Sequence, residues 1–286
     1  MKQFKNVKRN VEKELEIRGI DLILQEVTIY KNNIECVGLR IIKDDEVHPI
    51  VYFDEGESIR DYIERIIDVI ESPSPSIDFK KILNPEYIKK NAFLSLQRYS
   101  NSEDGILAKR FLNLQVVPCI YVRDDSFGEN EVVSAKISEQ FLVQAGIDSV
   151  DFFAWAERNI LKHAYIKSLN QILFEMCEAD DDIDMEVHSP FYVASAGNYG
   201  GASVLLCSPV LKAFCDKHNV ETCTILPSSR EEILLIPDGI YSFNPIELVE
   251  LVNEANCNVV DPILQLDPVV YRFNRNDNLL TIIAKK

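Results

Sequence analysis

Two hydrophobic periods take turns along this chain. In residues 21–53 the apolar positions partly alternate with polar ones: DLILQEVTIY and IECVGLRII are rich in β-branched residues, and Lys31-Asn32-Asn33 joins them. Asparagine tolerates the positive φ of a tight hairpin turn, so KNN reads as a turn. HPIVYF follows the polar KDDEV, which predicts a three-stranded meander. In ESIRDYIERIIDVIE the period changes, and Ile59, Tyr62, Ile63, Ile66, Ile67 and Ile70 form one helical stripe. Ser58 stands as its N-cap with Asp61 in the reciprocal position. Pro73 and Pro75 stop it, and SPSPS reads as a linker. Asn84-Pro85, cap then proline, opens a helix predicted over 84–98.

The middle of the chain repeats this grammar. LQVVPCIYVRD and EVVSAKIS predict a hairpin around DSFGEN, with Pro118 marking an edge strand or a bulge. Two helices follow, EQFLVQAG and SVDFFAWAERNILKHAYI, the second with Val150, Phe153, Ala154, Ile160, Leu161 and Ala164 on one side. The acidic EADDDIDMEVHS sets off the last third. There FYVASA, the turn GNYGG and ASVLLC predict a hairpin, and Ser208-Pro209 opens a helix with Leu211, Phe214, Cys215 and His218 on one face. ETCTILP and EEILLIP pair around Pro227-Ser228-Ser229-Arg230, Asn244-Pro245 caps PIELVELVNEA, and PVVYRFN and LLTIIA close the chain. Successive strands lie too close for helical crossovers, so the fold class is α+β: repeated antiparallel hairpins packed by helices. The pattern divides into an N-terminal α+β lobe over 1–178 and a C-terminal hairpin–helix–hairpin–helix module over 188–286.

Composition narrows the partners. The chain has 286 residues, 47% hydrophobic and 27% charged, which excludes disorder and low-complexity architectures. Its net charge of −16 repels phosphate backbones, so nucleic acid is not an expected partner. The one basic concentration, Lys2, Lys5, Lys8 and Arg9, has no aromatic interleaving and reads as the start of a solvated helix. No apolar run approaches the ~20 residues that span a bilayer. No apolar stretch follows the basic N-terminus, as a secretory signal would need. Seven cysteines, an odd number mostly in apolar runs, read as reduced thiols, so a cytoplasmic protein is expected.

The chain carries no GxxxxGK[ST] loop, GxGxxG turn, GxSxG elbow, CxxC pair or HExxH. Weaker features remain. In SAGNYGGAS, the segment Asn198, Tyr199, Gly200 and Gly201 would cradle an anion through exposed N–H groups, or it is a turn whose glycines supply positive φ. In LPSSREE, Ser228, Ser229 and Glu232 would contact a ligand or partner, or the serines satisfy local backbone groups. Asp180, Asp181, Asp182 and Asp184 fail the EF-hand pattern, with Met185 and Phe191 where Gly and Glu are required, and read as a solvated loop. Cys215 and His218 lie one turn apart, but two ligands do not make a metal site, so no metal and no cofactor are expected.

Several stretches, in order along nearly the whole length, resemble a bacterial family known as domain of unknown function 5688. They are the KNN turn with VGLRI, HPIVYFDE, LNLQVVPCIYV, YVASAGNYGGASVLL, ILPSSREEILLIP, LVNEANCNVV and DPVVYRF. That family usually follows the serine pair with Ile-His-Glu, where this chain has Arg230, Glu231 and Glu232. The resemblance implies a cytoplasmic bacterial setting and brings no reaction, substrate or cofactor. With structural grammar but no converging catalytic set, the expected function is a non-catalytic binding or regulatory protein, its surface for a protein partner or small ligand formed by GNYGG and PSSRE. The alternative is a hydrolase lacking familiar motifs, acting near Ser228, Ser229 and Glu232.

Overall fold

The computed structural model describes residues 2–42, 48–54, 56–72, 78–100, 106–122, 133–176 and 189–286. The expected KDDEV turn, the SPSPS linker beyond Ser72, the DSFGEN loop, the acidic run 180–184 and the divide at 178–188 lie outside these. The chain forms two compact units, Met1–Asp78 with Arg123–Glu131, and Phe79–Val122 with Val132–Lys286. Among the described residues no helix is long and apolar enough to cross a membrane.

The first unit contains α1 (Lys2–Ile17), β1 (Ile23–Lys31), β2 (Ile34–Ile42), β3 (Ile50–Tyr52) and α2 (Ile59–Glu71). The strands form the expected antiparallel meander, and Lys31 pairs with Ile34 across Asn32 and Asn33, whose φ values are 51° and 65°. Helix α1 is amphipathic and not wholly solvated, since it buries Val7, Val11 and Leu15, four residues apart. Ser58 caps α2, accepting from the Asp61 N–H at 3.2 Å and donating to the Asp61 carboxylate at 2.7 Å. Tyr62 is fully buried, yet its hydroxyl donates to the Val51 carbonyl at 2.8 Å and accepts from the Leu39 N–H at 3.1 Å. It thereby ties α2 to two strands while Ile63, Ile66 and Ile67 fill the core beside Leu39 and Ile41.

The second unit begins with α3 (Phe79–Ile82) and α4 (Pro85–Asn91). The Asn84 side chain caps α4, accepting from the N–H groups of Glu86 and Tyr87. The helix expected over 84–98 stops at Asn91, and Ala92–Arg98 is strand β4. Six of its seven residues are buried, so both faces are covered and the alternation that marks a strand is lost. Then come β5 (Lys109–Phe111), β6 (Leu114–Val122) and β7 (Val133–Lys136). Strand β4 pairs along one side of β6, and β5 and β7 share the other. Pro118 is therefore central and lies neither at a sheet edge nor at a bulge. Its carbonyl accepts from the Ile137 N–H at 2.9 Å. The N and C=O of a strand residue face the same way. The proline nitrogen accordingly faces the break between β5 and β7, where no ladder bond is lost.

Helices α5 (Glu139–Ala145) and α6 (Ser149–His163) follow, then β8 (Tyr165–Ser168), α7 (Leu169–Met176) and β9 (Tyr192–Ser195). Helix α6 buries Phe152, Phe153, Ala156 and Ile160, whereas Val150 and Leu161 are exposed; the apolar face is rotated from the expected one. Asn159 fixes this orientation by donating to the Ala92 and Lys89 carbonyls, both at 2.9 Å. The expected GNYGG hairpin is not formed, because Gly201–Leu206 is a 3-10 helix. Ala202–Leu205 are all buried, and a short buried apolar run carries no period that separates strand from helix. The chain ends with α8 (Ser208–His218), β10 (Thr222–Leu226), β11 (Ile233–Pro237), α9 (Pro245–Asn258), β12 (Val269–Asn274) and β13 (Leu279–Lys285). The second sheet runs β13-β12-β10-β11-β9-β8, antiparallel throughout. Helix α9 covers part of it, packing Leu248, Val249 and Val252 on Leu226, Ile236 and Val270. The fold is α+β, as the strand spacing predicts.

Candidate functional site

The turn after β9 is held close to the rest of the second unit by main-chain contact. Gly200 has φ of 93° and Gly201 of 47°, a region that side chains with a Cβ rarely enter. A Cβ on Gly200 would strike the Leu94 carbonyl, and one on Gly201 would strike the Glu231 backbone. The turn's donors are largely used internally. Gly197 N–H reaches the Ser195 hydroxyl at 2.9 Å, Gly201 N–H the Gly197 carbonyl at 2.9 Å, and Ala202 N–H the Arg230 carbonyl at 3.1 Å. These bonds leave little of an anion cradle.

The PSSRE turn between β10 and β11 is tied down from the other side. Arg230 donates from Nε to the Leu96 carbonyl at 3.2 Å, from Nη1 to the Ile263 carbonyl at 3.5 Å and from Nη2 to the Ser95 hydroxyl at 2.8 Å. Its N–H reaches the Leu264 carbonyl at 2.7 Å. The serines serve the turn itself. The Ser229 hydroxyl accepts from the Glu231 N–H at 3.0 Å, and Ser228 donates to the Glu232 carbonyl at 3.2 Å and to its carboxylate at 3.4 Å. The Glu232 carboxyl is half-buried; burial raises its pKa above the usual carboxylate range, the Ser228 hydrogen bond opposes this, and the charge of Glu231 adds to it.

The two turns meet at one cleft of about 510 Å³ within the second unit. Asn198, Gly200 and Gly201 line it from one turn, and Arg230, Glu231 and Glu232 from the other. Phe93 and Tyr121 stack on each other at 4.5 Å and form an apolar floor, and Tyr165 adds an exposed ring. Ser95, Ser134 and Ser195 bring hydroxyls. Tyr199 stands behind the floor, edge-on to Tyr121 at 5.2 Å and stacked on His163 at 3.9 Å. Ser228 and Ser229 are not among the described residues that line the cleft.

One family model matches residues 1–275 of the chain. The chain belongs to the family of unknown function DUF5688. Comparison with curated proteins and with solved structures returned no match. For this DUF5688 protein, the candidate residues Asn198, Gly200, Gly201 and Glu232 thus come together, with Tyr199, Ser228 and Ser229 as their supports. Phe93 and Ser95 lie on β4, where the sequence pattern predicts helix, and Tyr165 lies where the pattern continues α6. The pair Cys215 and His218 has separate surroundings. Cys215 hydrogen-bonds with Cys223, a contact that, with burial, pushes the Cys223 thiol well up. His218 packs against the rings of Tyr192 and Phe214, both at 4.6 Å, and burial followed by the charge of Lys217 holds its pKa down. Among the described residues no group of three or more His, Cys, Asp or Glu side chains could hold a metal ion.

Proposed function

We propose that this protein is a non-catalytic binding protein that takes a small ligand in the cleft between the GNYGG and PSSRE turns. The observation that carries the reading is convergence: two segments about thirty residues apart in sequence line a single concavity with an apolar floor and several polar groups. Such a combination is the usual form of a small-molecule site. We further place the protein in the cytoplasm, since Cys36, Cys207, Cys215, Cys223 and Cys257 are free thiols and suit a reducing compartment.

An NMR fragment screen on the full chain tests the reading. Fragments are expected to shift residues of the cleft, and Ser134→Trp, an exposed substitution on its rim, is expected to abolish those shifts. Shifts confined to other surfaces, or unaffected by Ser134→Trp, defeat it.

A hydrolase reading has one observation in its favour, the Ser228 hydroxyl 3.4 Å from a carboxylate whose pKa is raised. The same hydroxyl also donates to the Glu232 main-chain carbonyl, and it does not line the cleft. Ester or peptide cleavage lost in Ser228→Ala would favour this second reading over the first.

A further inference from the structure

Resting on the cleft as a ligand site, a further inference concerns the charge of the ligand. We propose that the cleft selects an organic ammonium, its cationic nitrogen facing Glu231 and Glu232 and its apolar or aromatic body on the Phe93–Tyr121 floor beside Tyr165.

Three observations point to this chemistry. Among the described residues the charged members of the lining are one cation and two anions, and the cation is already engaged. The Arg230 guanidinium is spread over the Leu96 and Ile263 carbonyls and the Ser95 hydroxyl, so it acts as a clamp between the turn and β4. Glu231 and Glu232, in contrast, form no ion pair among the described residues. Two adjacent carboxylates, one of them half-buried, repel an anion and are relieved by a cation. The aromatic wall supplies the second argument. Phe93 and Tyr121 offer apolar contact, and the Tyr165 ring, 42% exposed, adds to it; the Lys167 ammonium already lies 5.9 Å from that ring's centroid and is paired with Glu175 at 2.6 Å. The third is long-range, because the net charge of −16 draws cations toward the protein before any contact forms.

Three phenol probes of similar size and different head-group charge decide the matter: tyramine, the neutral alcohol tyrosol and the anion 4-hydroxyphenylacetate. Titration calorimetry on the full chain at low salt is expected to show tyramine binding about tenfold more tightly than tyrosol, equivalent to one charge-pair contact. The anion should bind no better than tyrosol. The preference should shrink as salt is added and largely disappear in Glu232→Gln. Ser134→Trp should remove tyramine binding altogether.

Equal or tighter binding of tyrosol or of the anion overturns the assignment of a cation but leaves the cleft as a ligand site. Failure of all three probes overturns the assignment as well, and the fragment screen then decides the fate of the cleft. Tyramine binding that persists in Ser134→Trp lies elsewhere and overturns both readings.

Discussion

Glu232 is a cleft carboxyl whose ionisation the fold resists. Its pKa is raised by burial, so the folded state binds this proton more tightly than the unfolded chain does. The sign follows from linkage: the stability due to this group is complete below the ordinary carboxylate pKa, about 4.3, and is lost as pH rises through the higher folded value. Glutamine imitates the protonated form. Glu232→Gln is therefore expected to raise the melting temperature at neutral pH, a gain that fades in melts recorded below the ordinary carboxylate pKa. The glycines of the neighbouring turn allow a paired test. Gly197 has φ of 54° and open space where a Cβ would stand, while Gly201 has φ of 47° and a wall of Glu231 backbone there. Gly197→Ala should cost about 1 kcal/mol for the backbone alone. Gly201→Ala should cost at least about twice that, because the backbone must also move. Urea unfolding of the two variants compares them directly.

At this scale the sequence was readable wherever the chemistry is local. Ser58, Asn84 and Asn244 each cap the helix they precede, since a cap needs only its own next three residues. Asn32 and Asn33 adopt the positive φ their type suggests. Ser95 and Arg230 were not readable as partners. They lie 135 positions apart in the chain, and their contact is made by tertiary packing.

Among the elements, burial on two faces hid what the pattern could not show. Strand β4 and the 3-10 helix after Gly200 are both short buried apolar runs, for which the sequence pattern predicts helix and strand respectively. In β1, β2 and α2 one face is wet, and there the period identified the element. Helix α6 shows an intermediate case: its existence and start were legible, but two apolar stripes competed. The deciding contact is Asn159 reaching the carbonyls at the end of α4. Asn159→Ala should therefore cost about 1 kcal/mol per lost bond, measurable in urea unfolding. Asn253→Ala, on a half-buried position of α9, should cost less, since among the described residues its side chain accepts one hydrogen bond, from the Lys286 amine at 3.3 Å.

In the molecule as a whole, each unit has its own buried core, and the described lining of the cleft belongs to the second. Ile66 is fully buried in the core of the first unit. Ile66→Ala should cost about 3 kcal/mol through the cavity it leaves. Probe affinity in the cleft should be unchanged in that variant while its first unfolding transition moves to lower denaturant. The two glycines that touch Leu94 and Glu231 give the cleft a property beyond conformational ease. Its breadth is set where main chain rests on main chain and where Arg230 clamps the turn to β4. Recognition can therefore be rewritten at Ser134, Tyr165 or Asn198 one substitution at a time, as furniture is exchanged in a room whose walls stay put.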